Sequence, residues 1–114
     1  MSLLSDLKSI ISSLNIPVET GAFTLSAPDL YIVLVPLNDE FGLYADNQPG
    51  VDVQSVRLSL YVKGNYTKPK NRVIKALIGA GMTVTDRHYI GFEQDTKYHH
   101  YNIDVENVYE MEEI

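Results

Sequence analysis

The sequence predicts an α+β domain of two layers, with two amphipathic helices on one face of a mainly antiparallel four-stranded sheet, and residues 1–114 forming a single domain. Two observations lead there. From Val56 to Lys63 the chain alternates without a fault: Val56, Leu58, Leu60 and Val62 fall on one face, Arg57, Ser59, Tyr61 and Lys63 on the other. A strand of that kind has one buried and one wet face, so its sheet is covered by helices on one side only. Two further segments, one at the N-terminus and one after residue 66, repeat apolar side chains at the helical spacing instead.

Taken in order, Ser2 is placed to cap a helix running to about Leu14, with Leu3, Leu7, Ile10 and Leu14 as its stripe and Asp6 near its positive end. Pro17 ends it. Val18 to Pro28 reads as a short extended piece and a connector. Leu30 to Val35 is rich in β-branched residues and predicts a central strand, with Pro36 as its stop. Leu37 to Asp52 gathers most of the turn-forming residues and predicts a long functional loop or a hairpin arm. Phe41, Leu43 and Tyr44 within it are costly to leave in water, so they fold back on the domain or dock on a partner. After the alternating strand, Gly64 to Tyr66 predict a turn and Thr67 an N-cap, with Pro69 in the first turn of a helix to about Ala80. Val73, Ile74, Leu77 and Ile78 form its apolar stripe, and Gly81 is the expected left-handed terminator. Thr83 to Phe92 and Lys97 to about Tyr109 then predict a hairpin. On its second strand Tyr101, Ile103 and Val105 share one face, and Tyr98, His100, Asn102 and Asp104 the other.

Composition excludes several function classes. A net charge of −6 disfavours a protein that grips phosphate backbones. The longest apolar run, Leu30 to Val35, is too short to span a membrane, and neither a basic start nor an apolar block marks a signal peptide, so a cytosolic location is expected. With no cysteine, disulfides, thiolate metal sites and thiol nucleophiles are all ruled out. His99 and His100 are neighbours on a strand and point to opposite faces, so with His88 they do not predict a metal site. No nucleophile elbow, dinucleotide fingerprint or phosphate loop is present, and neither an enzyme nor a cofactor is expected. Eight tyrosines suit a half-wet sheet face or subunit contacts. Between Tyr101 and Ile114 there are acids (Asp104, Glu106, Glu110, Glu112, Glu113) and no Lys or Arg, a pattern that most simply marks a solvated strand end and tail.

The N-terminal helix, the strand PDLYIVLV, the block FGLYADNQPGVDVQSVRLSLYVK, the helix RVIKALIGAGM and the ending RHYIGFEQDTKYHHYNIDV, in that order, resemble the tail terminator or tail completion proteins of tailed bacteriophages and prophages. The likeness spans nearly the whole chain; its order and the ADN-to-LYVK block carry it, and none of its motifs is catalytic. It implies a structural subunit that forms a ring, commonly a hexamer, on the head-proximal end of the tail tube, stops tube growth and meets the head connector. The implied partners are other copies of itself, the tube and the connector, with neither sequence-specific nucleic-acid binding nor a membrane. The implied location is the host cytoplasm during assembly and then the virion. A ring needs two different sides that meet head to tail. Phe41, Leu43 and Tyr44 on the loop, with Arg57, Tyr61 and Lys63 on the open sheet face, are the candidate contacts. Asp104, Glu106 and Glu110 are candidates to line the channel, where like charge keeps DNA from sticking. A connector-side head completion protein is the nearest alternative. A ligand-binding domain walled by Tyr61, Tyr98 and His100 on the open face is another.

Overall fold

The computed structural model describes residues 2–21, 27–45 and 48–110, with side chains described for all of these except 43–45 and 48–49. The elements are α1 (Leu3–Ser13), β1 (Val18–Thr20), β2 (Leu30–Ala45), β3 (Gln48–Lys63), α2 (Thr67–Gly79), β4 (Thr83–Phe92) and β5 (Tyr98–Glu110). They build a five-stranded sheet in the order β1-β2-β3-β5-β4, antiparallel except for the parallel pair β1 and β2. The two-layer α+β class is as expected; the sheet is five-stranded and mixed, not four-stranded.

The additional strand is β1, three residues of the segment expected to be a connector. It follows from the end of α1. Asn15 takes a left-handed φ of 62°, which turns the chain back so that the carbonyl of Pro17 accepts from Ile32 N–H and the chain continues alongside β2.

The second departure is at Pro36, which does not stop β2. Residues 32 and 34 direct their backbone groups toward β1, since Ile32 N–H donates to Pro17 and the carbonyl of Leu34 accepts from Gly21. By the same alternation the missing N–H of Pro36 faces the outer edge, beyond the end of β1, where no ladder bond is lost. A register shift between Pro36 and Asn38 follows, and β2 and β3 then continue as a long antiparallel arm to the pair Ala45 and Gln48. Residues 37–45 and 48–52 are therefore the two strands of a hairpin arm rather than a loop. β5 lines β3 as far as the pair Val51 and Glu110, and the molecule is drawn out to 54 × 27 × 24 Å. At Gly42 a Cβ would lie 3.1 Å from Val51 Cγ2, so glycine lets the two strands of the arm close up.

One core lies between the helices and the sheet. Leu3, Leu7 and Ile11 of α1 and Val73, Ile74 and Leu77 of α2 meet Ile32, Leu34, Val56, Leu58, Leu60, Val62, Tyr101, Ile103 and Val105. Ser2 caps α1 as expected, accepting from Ser5 N–H, and Leu3 N–H donates to Gln54 Oε1 at 2.8 Å, which fixes the start of the helix to β3. Thr67 is not the cap of α2: its own N–H donates to the Asn65 side chain, which does that work from two residues earlier. Gly81 is left-handed, with φ 85°. Ile78, expected in the buried stripe, is instead 61% exposed, because the sheet is reached by Val73, Ile74 and Leu77 alone. Tyr66 stacks on Tyr89 and Tyr101, and Lys70 Nζ lies 5.2 Å from the Tyr101 ring, so the start of α2 is pinned to the β4–β5 hairpin by aromatic contacts.

Candidate subunit interface

The face of the sheet away from the helices is organised in cross-strand rows. The register places Val35, Arg57, Asp104 and Asp86 in one row, Val33, Ser59, Asn102 and His88 in the next, and Tyr31, Tyr61 and His100 in a third. Lys63 and Tyr98 close the lower end, while Ser55 with Glu106, Val53 with Val108 and Val51 with Glu110 lead up into the arm.

In the first row Arg57 is bidentate to Asp104, Nε to Oδ1 at 2.8 Å and Nη2 to Oδ2 at 3.0 Å. That hydrogen bonding raises the guanidinium pKa above its usual value, against the opposing effect of burial. Asp86 faces Asp104 from β4 and has His88 Nδ1 2.9 Å away. In the second row Ser59 and Asn102 are buried, and the Ser59 hydroxyl donates to Asn102 Oδ1 at 3.2 Å.

The third row is aromatic. Tyr61 is stacked between Tyr31, at 4.8 Å and 13°, and His100, at 4.3 Å and 19°, and Tyr98 meets both tyrosines edge-on. Burial raises the pKa of both Tyr31 and Tyr61, with the neighbouring tyrosines and Glu93 adding to it at Tyr31, and lowers that of His100. His100 Nε2 is buried and has no hydrogen-bond partner among the described residues. The Tyr98 hydroxyl donates to the Pro28 carbonyl at 2.7 Å, which holds the chain entering β2 across this end of the face. Tyr61, Tyr98 and His100, candidates for the walls of a pocket, thus pack on one another.

The candidate contact residues do not form one patch. Arg57, Tyr61 and Lys63 share the open face, and Lys63 Nζ is 3.7 Å from Asp29 and 4.9 Å from the Tyr98 ring centre. Phe41 pairs with Asp52 in the register, so it lies on the other side of the arm, the side of Gln54 and the helices, and is 56% exposed. It stands out from the arm and does not fold back into the core. Leu43 and Tyr44 belong to β2 by backbone, but their side chains lie outside the described residues. Asp104, Glu106 and Glu110 do share one face. However, the Asp104 carboxylate is neutralised by Arg57 and only 13% exposed, so it is part of the ion pair rather than a free acid facing a channel. Glu106 is partly buried and Glu110 exposed.

Residues to which the sequence reading assigned no contact also stand out. The outer stripe of α2 carries exposed Lys68, Arg72, Lys75 and Ile78. Val35, Leu37 and Val108 add exposed apolar area around the base of the arm. The charges of α2 and of the arm were legible in principle. Thr67 to Gly79 contains four cations and no acid, and Pro36 to Val56 contains four acids and no cation.

Among the described residues no group of three His, Asp or Glu is placed to hold a metal ion, and no helix is long and apolar enough to cross a membrane. His99 turns toward Phe92 and Tyr66 on the helix side while His100 stacks on Tyr61 on the open side. Compared with known protein families and with characterised proteins, the chain matches no family model and no characterised sequence.

Proposed function

We propose that this chain is a structural phage-tail subunit that assembles head to tail into a ring, caps the tail tube and offers a surface to the head connector, with no catalytic role. One observation carries the reading beyond the resemblance of its motifs. A 16-residue strand on each side extends the sheet into an arm that carries Phe41, which is exposed and, among the described residues, lies outside the core cluster. An arm of that length costs conformational entropy to order and returns little to the monomer. Its natural use is contact with another subunit, and the different surface at the opposite end of the molecule suits a head-to-tail arrangement.

The test is light scattering after size exclusion, over a range of concentrations, on the wild type and Phe41→Ala. Association of the wild type to a closed oligomer, weakened by Phe41→Ala with the circular dichroism unchanged, supports the reading. Loss of folding in Phe41→Ala, or equal association of the two proteins, counts against it.

A further inference from the structure

We infer that the contact between neighbouring copies is made by the acidic arm of one chain lying on the outer stripe of α2 of the next, an assignment that rests on the ring reading and specifies its interface. On the arm, Phe41 stands between Asp39 two residues before it and Asp52 opposite it, all on the same side. From Pro36 to Val56 there is no Lys or Arg to neutralise these acids. On α2, Lys68, Arg72 and Lys75 follow one another at helical spacing, and Ile78 continues the stripe one turn after Lys75. No acid lies between Thr67 and Gly79.

Each patch is one charge sign around one exposed apolar side chain, and the two are complementary in both respects. Neither patch has an ion pair at home, although the Asp52 carboxylate accepts from Gln54 Nε2 at 2.8 Å. The ion pairs of the described residues join Arg57 to Asp104, Lys63 to Asp29 and His88 to Asp86, and none involves the arm or α2. Among the helix cations, Lys70 is turned onto the Tyr66 and Tyr101 rings and Arg72 donates to the carbonyl of Leu14, which leaves Lys68 and Lys75 without a carboxylate. The pairing cannot be made within one chain. The arm continues the plane of the sheet, whereas the stripe is the side of α2 opposite Val73, Ile74 and Leu77, which are buried on the sheet. A second copy supplies the missing partner to both patches, and because the patches differ the contact repeats head to tail.

The experiment is a charge exchange with mixing. In Lys68→Glu/Lys75→Glu both patches are acidic, and in Asp39→Lys/Asp52→Lys both are basic. The mass of each variant is read by light scattering at low salt, with circular dichroism confirming that the substitutions, at exposed Asp39, Lys68 and Lys75 and part-buried Asp52, leave the fold intact, and Asp39→Lys alone serving as the arm variant if Asp52→Lys disturbs it. The expected result is that each variant alone associates at least about tenfold more weakly than the wild type. A one-to-one mixture recovers association, since each arm then meets a helix of opposite sign. Raising salt to about 0.5 M weakens the wild type as well. If the wild type associates and neither variant differs from it, the arm-to-α2 contact is wrong while the ring reading stands. If both variants are weakened but the mixture is not restored, the two patches do not face each other, and the assignment also fails. If the lysine exchange removes retention of DNA instead of association, α2 faces nucleic acid. If the wild type stays monomeric up to millimolar concentration at low salt, interface and ring reading fall together.

Discussion

Replacing Arg57 with Met tests whether the open face is held by its first cross-strand row or merely decorated by it. The guanidinium makes two charge-assisted bonds to Asp104, whose side chain is 13% exposed against 35% for Arg57. Freely exposed pairs are worth about 0–1 kcal/mol and breaking fully buried ones costs about 3–5 kcal/mol. The two exposures place this pair between those limits, so Arg57→Met should cost about 2 kcal/mol. The loss is unequal between the partners. Without Arg57, Asp104 is left mostly buried with Asp86 opposite it on β4, a like charge with its main counter-charge gone. Without the Asp104 charge, Arg57 keeps a third of its side chain in water and Asp86 is relieved, so Asp104→Asn should cost about 1 kcal/mol. Urea unfolding followed by far-ultraviolet circular dichroism gives both values from the midpoint shifts. Both variants lying within 0.5 kcal/mol of wild type, or Asp104→Asn costing more than Arg57→Met, would refute this account of the row.

Three further outcomes are expected. Burial holds the His100 imidazole below its ordinary pKa, so the unfolded chain binds the proton first on acidification; stability attributable to this group should be intact above pH 6.5 and fall as pH drops below it, and His100→Phe should flatten that slope in pH-dependent urea unfolding. Tyr109 donates to Asp6 Oδ2 at 2.6 Å, and burial together with this bond pushes its pKa up to about 12, so stability should decline as pH rises above 10 and Tyr109→Phe, at a cost of about 1 kcal/mol, should remove the slowest-ionising tyrosine from an ultraviolet titration. Gly81 ends α2 at φ 85°, where a side chain is strained although nothing lies within reach of a Cβ; Gly81→Ala should lose about 1 kcal/mol in the same denaturation assay, and no loss would show that the turn relaxes freely.

What the sequence made legible follows from the range over which each signal acts. The alternation from Val56 to Val62 needs only its own strand, and it correctly assigns the buried and open faces of β3. The helices were equally local: Leu3 and Leu7 of the expected stripe are buried, whereas Ile10 and Leu14 are only partly so and Ile11 is fully buried. β1 was not legible because three residues carry too little period to be distinguished from a connector, and its existence depends on where α1 delivers the chain. Pro36 misled because the rule against proline concerns the direction of its missing N–H, which only the neighbouring strand decides. The same limit applies to the candidate interface. Arg57 and Asp104 are 47 residues apart, and nothing in either neighbourhood reveals that register sets them opposite each other. Phe41 is a residue expensive to leave in water, and its separation from Arg57, Tyr61 and Lys63 follows from the register shift after Pro36, which no local pattern records.

The most direct measurement of the central proposal is native mass spectrometry of the purified chain over a concentration series at low ionic strength. Head-to-tail contacts that close predict one dominant species at a fixed copy number, near six by the resemblance to tail terminators, growing at the expense of monomer without a ladder of larger masses. A monomer at every concentration, or an open ladder without a preferred size, would contradict it.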